Sequence, residues 1–398
     1  MSDIRSAYTD SLHFYGRHTP RELAETYGTP LYVYNENVLR QRCRDLTALS
    51  GQPGFGVNYS IKANANPVLL RMIREEGLVV DAMSPGELFM NDLAGFTPAE
   101  ILYISNNNSD TELQNALVHG LLVSVDSLSQ LDTLGRLNRG GKVMVRFNPG
   151  IGAGHHAKVV TAGKETKFGV TPDKIDEVFA LLARHELTLA GINQHIGSLF
   201  MEPDGYLNAA RVLLDLAETL PDGALDRLEI IDFGGGFGIP YHKYEGEARL
   251  DMADLGRRLH AMISGWAASA GYTGRFLVEP GRYVAAECGV LLGRVHAVKT
   301  TATSAMWART WASTCWCARP CTIPSMMWRS TVARRARRMP SPCARPLWAI
   351  SAKAAIFSPK TACCRSCAKG TCWAFLMPEP TASPWLPITI SAVAPPKC

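Results

Sequence analysis

The sequence predicts a (β/α)8 barrel that begins near residue 34 and ends near residue 283. Short runs of apolar and β-branched residues alternate there with amphipathic stretches of helical period, such as residues 67–76 and 207–219. Eight such repeats are typical of a closed parallel barrel rather than of an open sheet. The predicted strands cover residues 56–61, 78–82, 101–105, 121–125, 142–147, 189–196, 228–233 and 275–279.

Six of the eight predicted strands end on polar or glycine residues. In barrels of this class the chemistry lies where the strands end, on the face that carries the βα loops. The sequence therefore predicts one site at this face of the barrel. Its candidate residues are Lys62, Asp81, Arg146, His195, Gly234, Gly235, Gly236 and Glu279 through Arg282.

Lys62 is the most informative of these residues. The run 58–62 is predicted as a strand that ends on the lysine, and a turn follows at residues 64–67. A primary amine at the mouth of a barrel can lose its proton through desolvation and form a Schiff base with an aldehyde, which is how pyridoxal phosphate is held. If this motif is considered by itself, an ordinary exposed lysine at a strand end explains it as well as a cofactor-binding lysine does.

The segments outside the barrel predict a second domain. Residues 1–33 include a predicted strand at 31–34, and they are expected to join residues 284–398. No apolar run reaches the roughly 18 residues of a membrane span, and the start has no apolar signal core. We therefore expect a cytoplasmic protein that does not enter a membrane.

Residues 301–398 differ in composition from the rest of the chain. They hold nine of the 11 cysteines, seven of the eight tryptophans and one of the 34 glycines. Their net charge is +12 (13 basic, one acidic residue), against −7 for residues 1–300 (28 basic, 35 acidic). Residues 334–338 are basic, but we expect no nucleic-acid partner. The cysteines lack the paired spacing of a metal knuckle, and we expect neither a metal site nor a disulfide framework.

A shifted reading frame explains this composition. Residues 326–328 (MMW) have the unique codons ATG ATG TGG, and one base earlier these codons give H-D-V-E when Arg329 is AGG and the free base is C. The same shift turns residues 308–314 into G-T-D-L-G-F-N, 351–356 into C-E-S-G-D and 377–387 into D-A-G-A-Y-G-F-S-M-A-S. The crossover lies near residues 299–301. A sequencing error, a pseudogene and a genuine product are all compatible with it.

The motifs of residues 1–300, taken together, resemble the diaminopimelate decarboxylase family, a group of barrel-type pyridoxal phosphate enzymes related to ornithine and arginine decarboxylases. The resemblance covers the whole in-frame region. It implies a (β/α)8 barrel that binds pyridoxal phosphate, a C-terminal β-sandwich or β-barrel domain, and a homodimer. The motifs are YSIKAN (59–64), DAMSPGE (81–87), GHHAK (154–158), KFG (167–169), HIGS (195–198), GGGFGIPY (234–241) and EPGR (279–282).

The resemblance also implies roles for individual residues. Lys62 carries the cofactor, Glu279 faces its pyridine nitrogen, and His195 stacks on its ring. The glycine triplet 234–236 and Ser198 are expected at the phosphate, because backbone N–H groups approach closely at glycines. Two further roles are implied. Arg282 meets a substrate carboxylate, and Asp81 and Arg146 fix the surroundings of the lysine, the histidine and the cofactor, unless they form a structural ion pair.

The expected reaction is decarboxylation of meso-2,6-diaminopimelate to L-lysine. The segments GHHAK and GIPY are like this family rather than its ornithine branch, and the recovered frame adds R-P-A-M-Y, which resembles contacts to the distal end of the substrate. The family's proton donor is the cysteine of C-E-S-G-D from the partner subunit, and residues 351–355 read SAKAA instead.

Two alternatives stay open: a non-catalytic barrel that binds the cofactor, and another basic amino-acid decarboxylase. His155 and His156 point apart in most backbones, and no metal is expected.

Overall fold

The computed structural model describes residues 13–104, 106–150, 168–221, 223–241, 247–300, 305–309 and 388–390. Eight of its strands, β2 to β9, are parallel and close into a barrel in sequence order, which confirms the predicted (β/α)8 fold. The strands are β1 Leu31–Asn35, β2 Phe55–Tyr59, β3 Val79–Ala82, β4 Ile101–Ile104, β5 Leu122–Val125, β6 Lys142–Arg146, β7 Thr188–Asn193, β8 Ile230–Gly235, β9 Arg275–Glu279, β10 Gly289–Leu292, β11 Val295–Thr300, β12 Ala305–Arg309 and β13 Ile388–Ile390.

Helices follow the barrel strands, and short side chains start several of them. Ser84 and Ser127 accept hydrogen bonds from the backbone N–H groups of Glu87 and Gln130, which caps the first turns of two helices. The helices are α1 Pro20–Tyr27, α2 Glu36–Thr47, α3 Pro67–Glu75, α4 Pro85–Ala94, α5 Asp110–Val118, α6 Leu128–Leu137, α7 Ile175–His185, α8 Pro203–Glu218, α9 Ala224–Arg227, α10 Met252–Ala270 and α11 Arg282–Ala285. None of these helices is long and apolar enough to cross a bilayer.

The barrel strands are buried on both faces, as parallel strands usually are. All six residues of β8 are buried, and a cluster of apolar side chains from β4, β6, β8 and β9 packs together. Its members are Leu102, Ile104, Met144, Ile230 and Leu277.

The first barrel strand is shorter than the sequence predicts. It ends at Tyr59, and the chain then makes a 3-10 turn over Ile61–Ala63. The cause is Asp81 on β3, whose carboxylate accepts hydrogen bonds from Ser60 Oγ and Ile61 N, each at 2.8 Å. Lys62 therefore lies on a turn that Asp81 holds and not on the strand itself.

Among the described residues, 15–34 and those from 289 onwards group into a second unit by their contacts. Within it, β1 pairs antiparallel with β10, with Leu31 opposite Leu292, and β13 lies on the other side of β1. β11 and β12 pair as antiparallel strands. The predicted domain boundaries at residues 33 and 284, and the C-terminal β domain, stay predictions. The recovered-frame motifs at 310–387 and the histidines 155–156 lie outside the described residues.

Candidate active site

A cavity of about 310 Å³ lies at the carboxyl ends of the barrel strands. Five of the predicted residues line it, from five different strands or the loops that follow them: Lys62, Asp81, Arg146, His195 and Glu279. The remaining lining residues are Met83, Ile104, Asn106, Ser124, Asp126, Phe168 and Asn193. The barrel thus brings together residues that are more than 200 positions apart in the sequence.

Lys62 and Asp81 meet at the first of these strand ends. The Lys62 side chain is exposed, whereas the sequence argument expected the amine to be desolvated, so its amine is open to an incoming ligand. Asp81 is buried, and burial raises its pKa to about 7, with the charge of Glu279 adding to the rise and the charge of Lys62 opposing it. Asp81 therefore acts on Lys62 chiefly by holding the turn that carries it.

Glu279 is a buried acceptor at the end of β9. Its Oε2 lies 3.7 Å from His195 Nδ1, which is too long for a hydrogen bond. Its Oε1 is buried and has no hydrogen-bond partner among the described residues. Burial raises the pKa of Glu279, but the nearby His195, Lys62 and Arg146 outweigh burial and hold the pKa below its usual value. Glu279 is therefore an ionised carboxylate at the cavity wall, with one oxygen that has no donor among the described residues.

His195 borders the same space as a neutral imidazole. Its Nδ1 accepts a hydrogen bond from Gly235 N at 3.2 Å, which places the ring proton on Nε2. Burial lowers the pKa of His195, more than the neighbouring Glu279 raises it. The ring is thus an uncharged flat surface.

Arg146 contributes positive charge from the end of β6. Its guanidinium lies 5.0 Å from the centre of the Phe168 ring and donates a long hydrogen bond of 3.5 Å to the carbonyl oxygen of His195. Burial lowers its pKa against the opposing charge of Glu279. The alternative of an ion pair with Asp81 is not seen, because Asp81 bonds Ser60 and Ile61 instead.

Arg282 and Ser198 form a second cluster, and neither lines the cavity. The Arg282 guanidinium donates to Ser198 Oγ at 3.0 Å and to the hydroxyl of Tyr241. Its Nε is buried without a partner among the described residues. The segment that carries Ser198 packs on Gly236, whose carbonyl oxygen accepts from Leu199 N at 2.9 Å. These donors are suited to an oxyanion.

The first two glycines of the triplet use their N–H groups within the protein. Gly234 N donates to Asp232 Oδ1 at 2.8 Å, and Gly235 N donates to His195 Nδ1. The phosphate contact of the triplet stays a prediction. Close backbone packing is the better reason for glycine there, since a Cβ on Gly234 would lie 2.1 Å from Gln194 O.

Sequence reasoning missed several polar residues inside the barrel. Ser124 Oγ donates to Asn193 Oδ1 at 2.8 Å, which links β5 and β7 at the wall of the cavity. Asp126 lines the cavity, and Asp232 is fully buried on β8. The sequence did contain one indication, because Asp232 stands inside the apolar run 230–233. Burying an unpaired charge is costly, so an acid in such a run is expected to have a specific partner or role.

Gly235→Ala is expected to destabilise the protein strongly. The added Cβ would lie 1.9 Å from the carbonyl oxygen of Glu279, so β8 and β9 would have to separate. Overpacking against backbone should cost about 3 kcal/mol or more. Gly86→Ala on α4 is the control, because its Cβ would meet nothing within 4 Å. Urea unfolding of the two variants measures the difference, and equal midpoints would contradict this account of the triplet.

The chemistry of these residues fits pyridoxal phosphate. An accessible lysine amine suits an aldehyde, the unpartnered Glu279 Oε1 suits a protonated ring nitrogen, and the Arg282 cluster suits a phosphate. Among the described residues no group of three His, Cys, Asp or Glu side chains could hold a metal ion.

Comparisons with known proteins agree with this chemistry. A family profile described as pyridoxal-dependent decarboxylase, pyridoxal binding domain, matches residues 37–286. Diaminopimelate decarboxylase of Methanothermobacter thermautotrophicus is 40% identical over 283 residues, which are 70% of this chain and 65% of that enzyme. The Mycobacterium tuberculosis enzyme is 32% identical over 305 residues, 73% and 68% of the two chains.

The fold comparison gives the same result. The crystal structure of diaminopimelate decarboxylase from Helicobacter pylori complexed with L-lysine has a TM-score of 0.64 and 27% identity, and the match covers 71% of each chain. The chain thus spans about two thirds of the length of the relatives it matches. Its cofactor is pyridoxal phosphate, and the chain belongs to the diaminopimelate decarboxylase branch of the pyridoxal-dependent decarboxylase family.

Proposed function

We propose that this protein, with its C-terminal frame restored, decarboxylates meso-2,6-diaminopimelate to L-lysine and carbon dioxide. The observation that carries the proposal is the unpartnered, ionised Glu279 oxygen in one cavity with the open Lys62 amine. When bound, pyridoxal phosphate supplies an electron sink for the electron pair left behind by the departing carboxylate. The bond from the D-configured carbon to its carboxylate breaks, and one proton replaces the carbon dioxide.

The residues of the barrel bind and orient the reacting groups. Lys62 would hold the cofactor through Nζ, Glu279 would keep its ring nitrogen protonated, and the neutral His195 side chain would lie against its ring. Arg282, with Ser198 and Tyr241, binds the phosphate. The contact of Arg282 with a substrate carboxylate stays a prediction.

The proton donor and the contacts to the distal end of the substrate belong to the C-terminal region. In the resembling family the donor is a cysteine from the partner subunit, so the proposal includes a cytoplasmic homodimer. The printed residues 351–355 contain no cysteine, which favours a cofactor-binding barrel without turnover for the chain as it stands. The active enzyme therefore requires the other reading frame.

A substrate panel tests the reaction. The frame-restored protein is incubated with meso-diaminopimelate, L-ornithine, L-arginine and L-lysine, and carbon dioxide release is measured. We expect kcat/KM for meso-diaminopimelate to exceed the others by at least about 100-fold, because a site built for a distal carboxylate leaves its polar groups unpaired with substrates that lack this carboxylate. Preference for ornithine or arginine would overturn the substrate and leave the cofactor site intact.

A further inference from the structure

Asp232 is a buried acid that the proposed function does not use. It is 0% exposed on β8, next to the cavity wall. Its Oδ1 accepts a hydrogen bond from Gly234 N at 2.8 Å, whereas its Oδ2 is buried and has no partner among the described residues. An ionised carboxylate oxygen without a donor is costly in such a place. A proton on Oδ2 removes that cost if an acceptor lies close by.

Glu279 is that acceptor. β8 and β9 are neighbouring parallel strands, with Asp232 opposite Leu277 and Gly235 opposite Glu279, so the two acids are diagonal neighbours across this strand pair. Asp232 Oδ2 and Glu279 Oε1 are both buried without a partner among the described residues. Two buried carboxyl groups in contact hold a proton between them, since like charges at this separation cannot both persist.

The surrounding groups decide which acid holds the proton. The cationic side chains of Lys62 and Arg146 act on Glu279 and stabilise its charge. Asp232 instead faces the negative charges of Glu279 and Asp81, and the Tyr206 hydroxyl on α8 donates to the Gly234 carbonyl oxygen at 3.1 Å rather than to Asp232. The charge therefore belongs on Glu279 and the proton on Asp232.

We propose that Asp232 is a positioning residue in its neutral form, which donates a hydrogen bond from Oδ2 to Glu279 and turns Glu279 Oε1 towards the cofactor nitrogen. The identity of the group that Oε1 faces rests on the proposed function. The proton on Asp232 does not, because it is a property of the protein with or without cofactor. Asp232 thus sets the strength of Glu279 as a hydrogen-bond acceptor for the pyridine ring of the cofactor.

The proposal has a consequence for stability against pH. Burial first, and then the charge of Glu279, raise the pKa of Asp232 well above its usual value. The native state keeps a proton that the unfolded chain releases above about pH 4. Unfolding then becomes easier as the pH rises, up to the native pKa. Asp232→Asn has no such proton to release. The difference between the Tm of this variant and the Tm of the unmodified protein should therefore shift in favour of the variant as the pH is raised from 4 to 8.

Infrared spectroscopy of the full chain, cofactor-free and cofactor-loaded, tests the position of the proton directly. At pH 8 we expect the C=O stretch of one buried neutral carboxyl group in the unmodified protein and in the control Asp226→Asn, whose acid is exposed. Asp232→Asn should lack the band. If that variant fails to fold, ¹³C-labelling of the aspartate carboxyl groups serves instead and should shift the band, whereas labelling of the glutamate carboxyl groups should leave it in place.

Cofactor binding gives the second readout. Asp232→Asn keeps an N–H donor towards Glu279 and should bind pyridoxal phosphate within about threefold of the unmodified protein, whereas Asp232→Leu removes the donor and should weaken binding at least about tenfold. Absence of the band in the unmodified protein, its persistence in Asp232→Asn, or its shift on labelling of glutamate instead of aspartate would overturn the proposal. Failure of cofactor binding with the band present would instead contradict the proposed function alone.

Discussion

Lys62→Ala is expected to abolish the visible absorbance of bound pyridoxal phosphate, and the cofactor should be lost on dialysis. Lys62 is the single lysine among the described residues that line the cavity. The remaining contacts, from Glu279, His195 and the Arg282 cluster, are non-covalent. Without the covalent link we expect retention to fall by more than about 100-fold, since a covalent bond holds the cofactor through every transient opening of the site.

The matched control is Lys142→Ala. Lys142 stands at the start of β6, away from the carboxyl ends, where its exposed amine pairs with Glu229. This variant should keep the full absorbance. Reduction with borohydride followed by peptide mass spectrometry locates the attachment, and a labelled peptide that lacks Lys62 would remove this lysine from the mechanism.

The barrel could be predicted because each of its strands and helices can be recognised from a short stretch of sequence. Each strand shows as an apolar run, each helix as an amphipathic stretch, and eight repeats leave few other architectures. The site could be predicted in outline for a related reason, since the carboxyl ends of parallel strands meet at one face. Lys62 and Glu279, from the first and last barrel strands, therefore had to lie near each other once the sheet closed.

The details that the sequence does not reveal depend on contacts across the barrel. The end of β2 is set by Asp81, a residue on another strand, so no local pattern places Lys62 on a turn. The glycines 234 and 235 were interpreted through their N–H groups, but the backbone atoms of residues 194 and 279 decide what fits there. Hydrogen bonds of this kind are visible only in three dimensions.

Restoring one base near codon 300 is expected to raise decarboxylase turnover on meso-diaminopimelate from near zero by more than about 10⁴-fold. The barrel supplies the cofactor and its electron sink, but the other frame supplies the proton donor of C-E-S-G-D, the contacts of R-P-A-M-Y and the tyrosine of D-A-G-A-Y-G. Loss of a general acid alone typically costs about 10²–10⁴-fold. Loss of the contacts that orient the substrate adds to that cost.

The control inserts three bases at the same codon, which lengthens the chain and keeps the printed frame. Lysine and carbon dioxide release are measured for the printed chain, the three-base insertion and the one-base insertion under identical conditions, with bound cofactor quantified in each. All three contain Lys62, Glu279 and Arg282, so cofactor content should change far less than turnover. If the printed chain turned over as fast as the one-base insertion, catalysis would need nothing from the other frame, and the barrel residues would have to provide the proton as well as the electron sink.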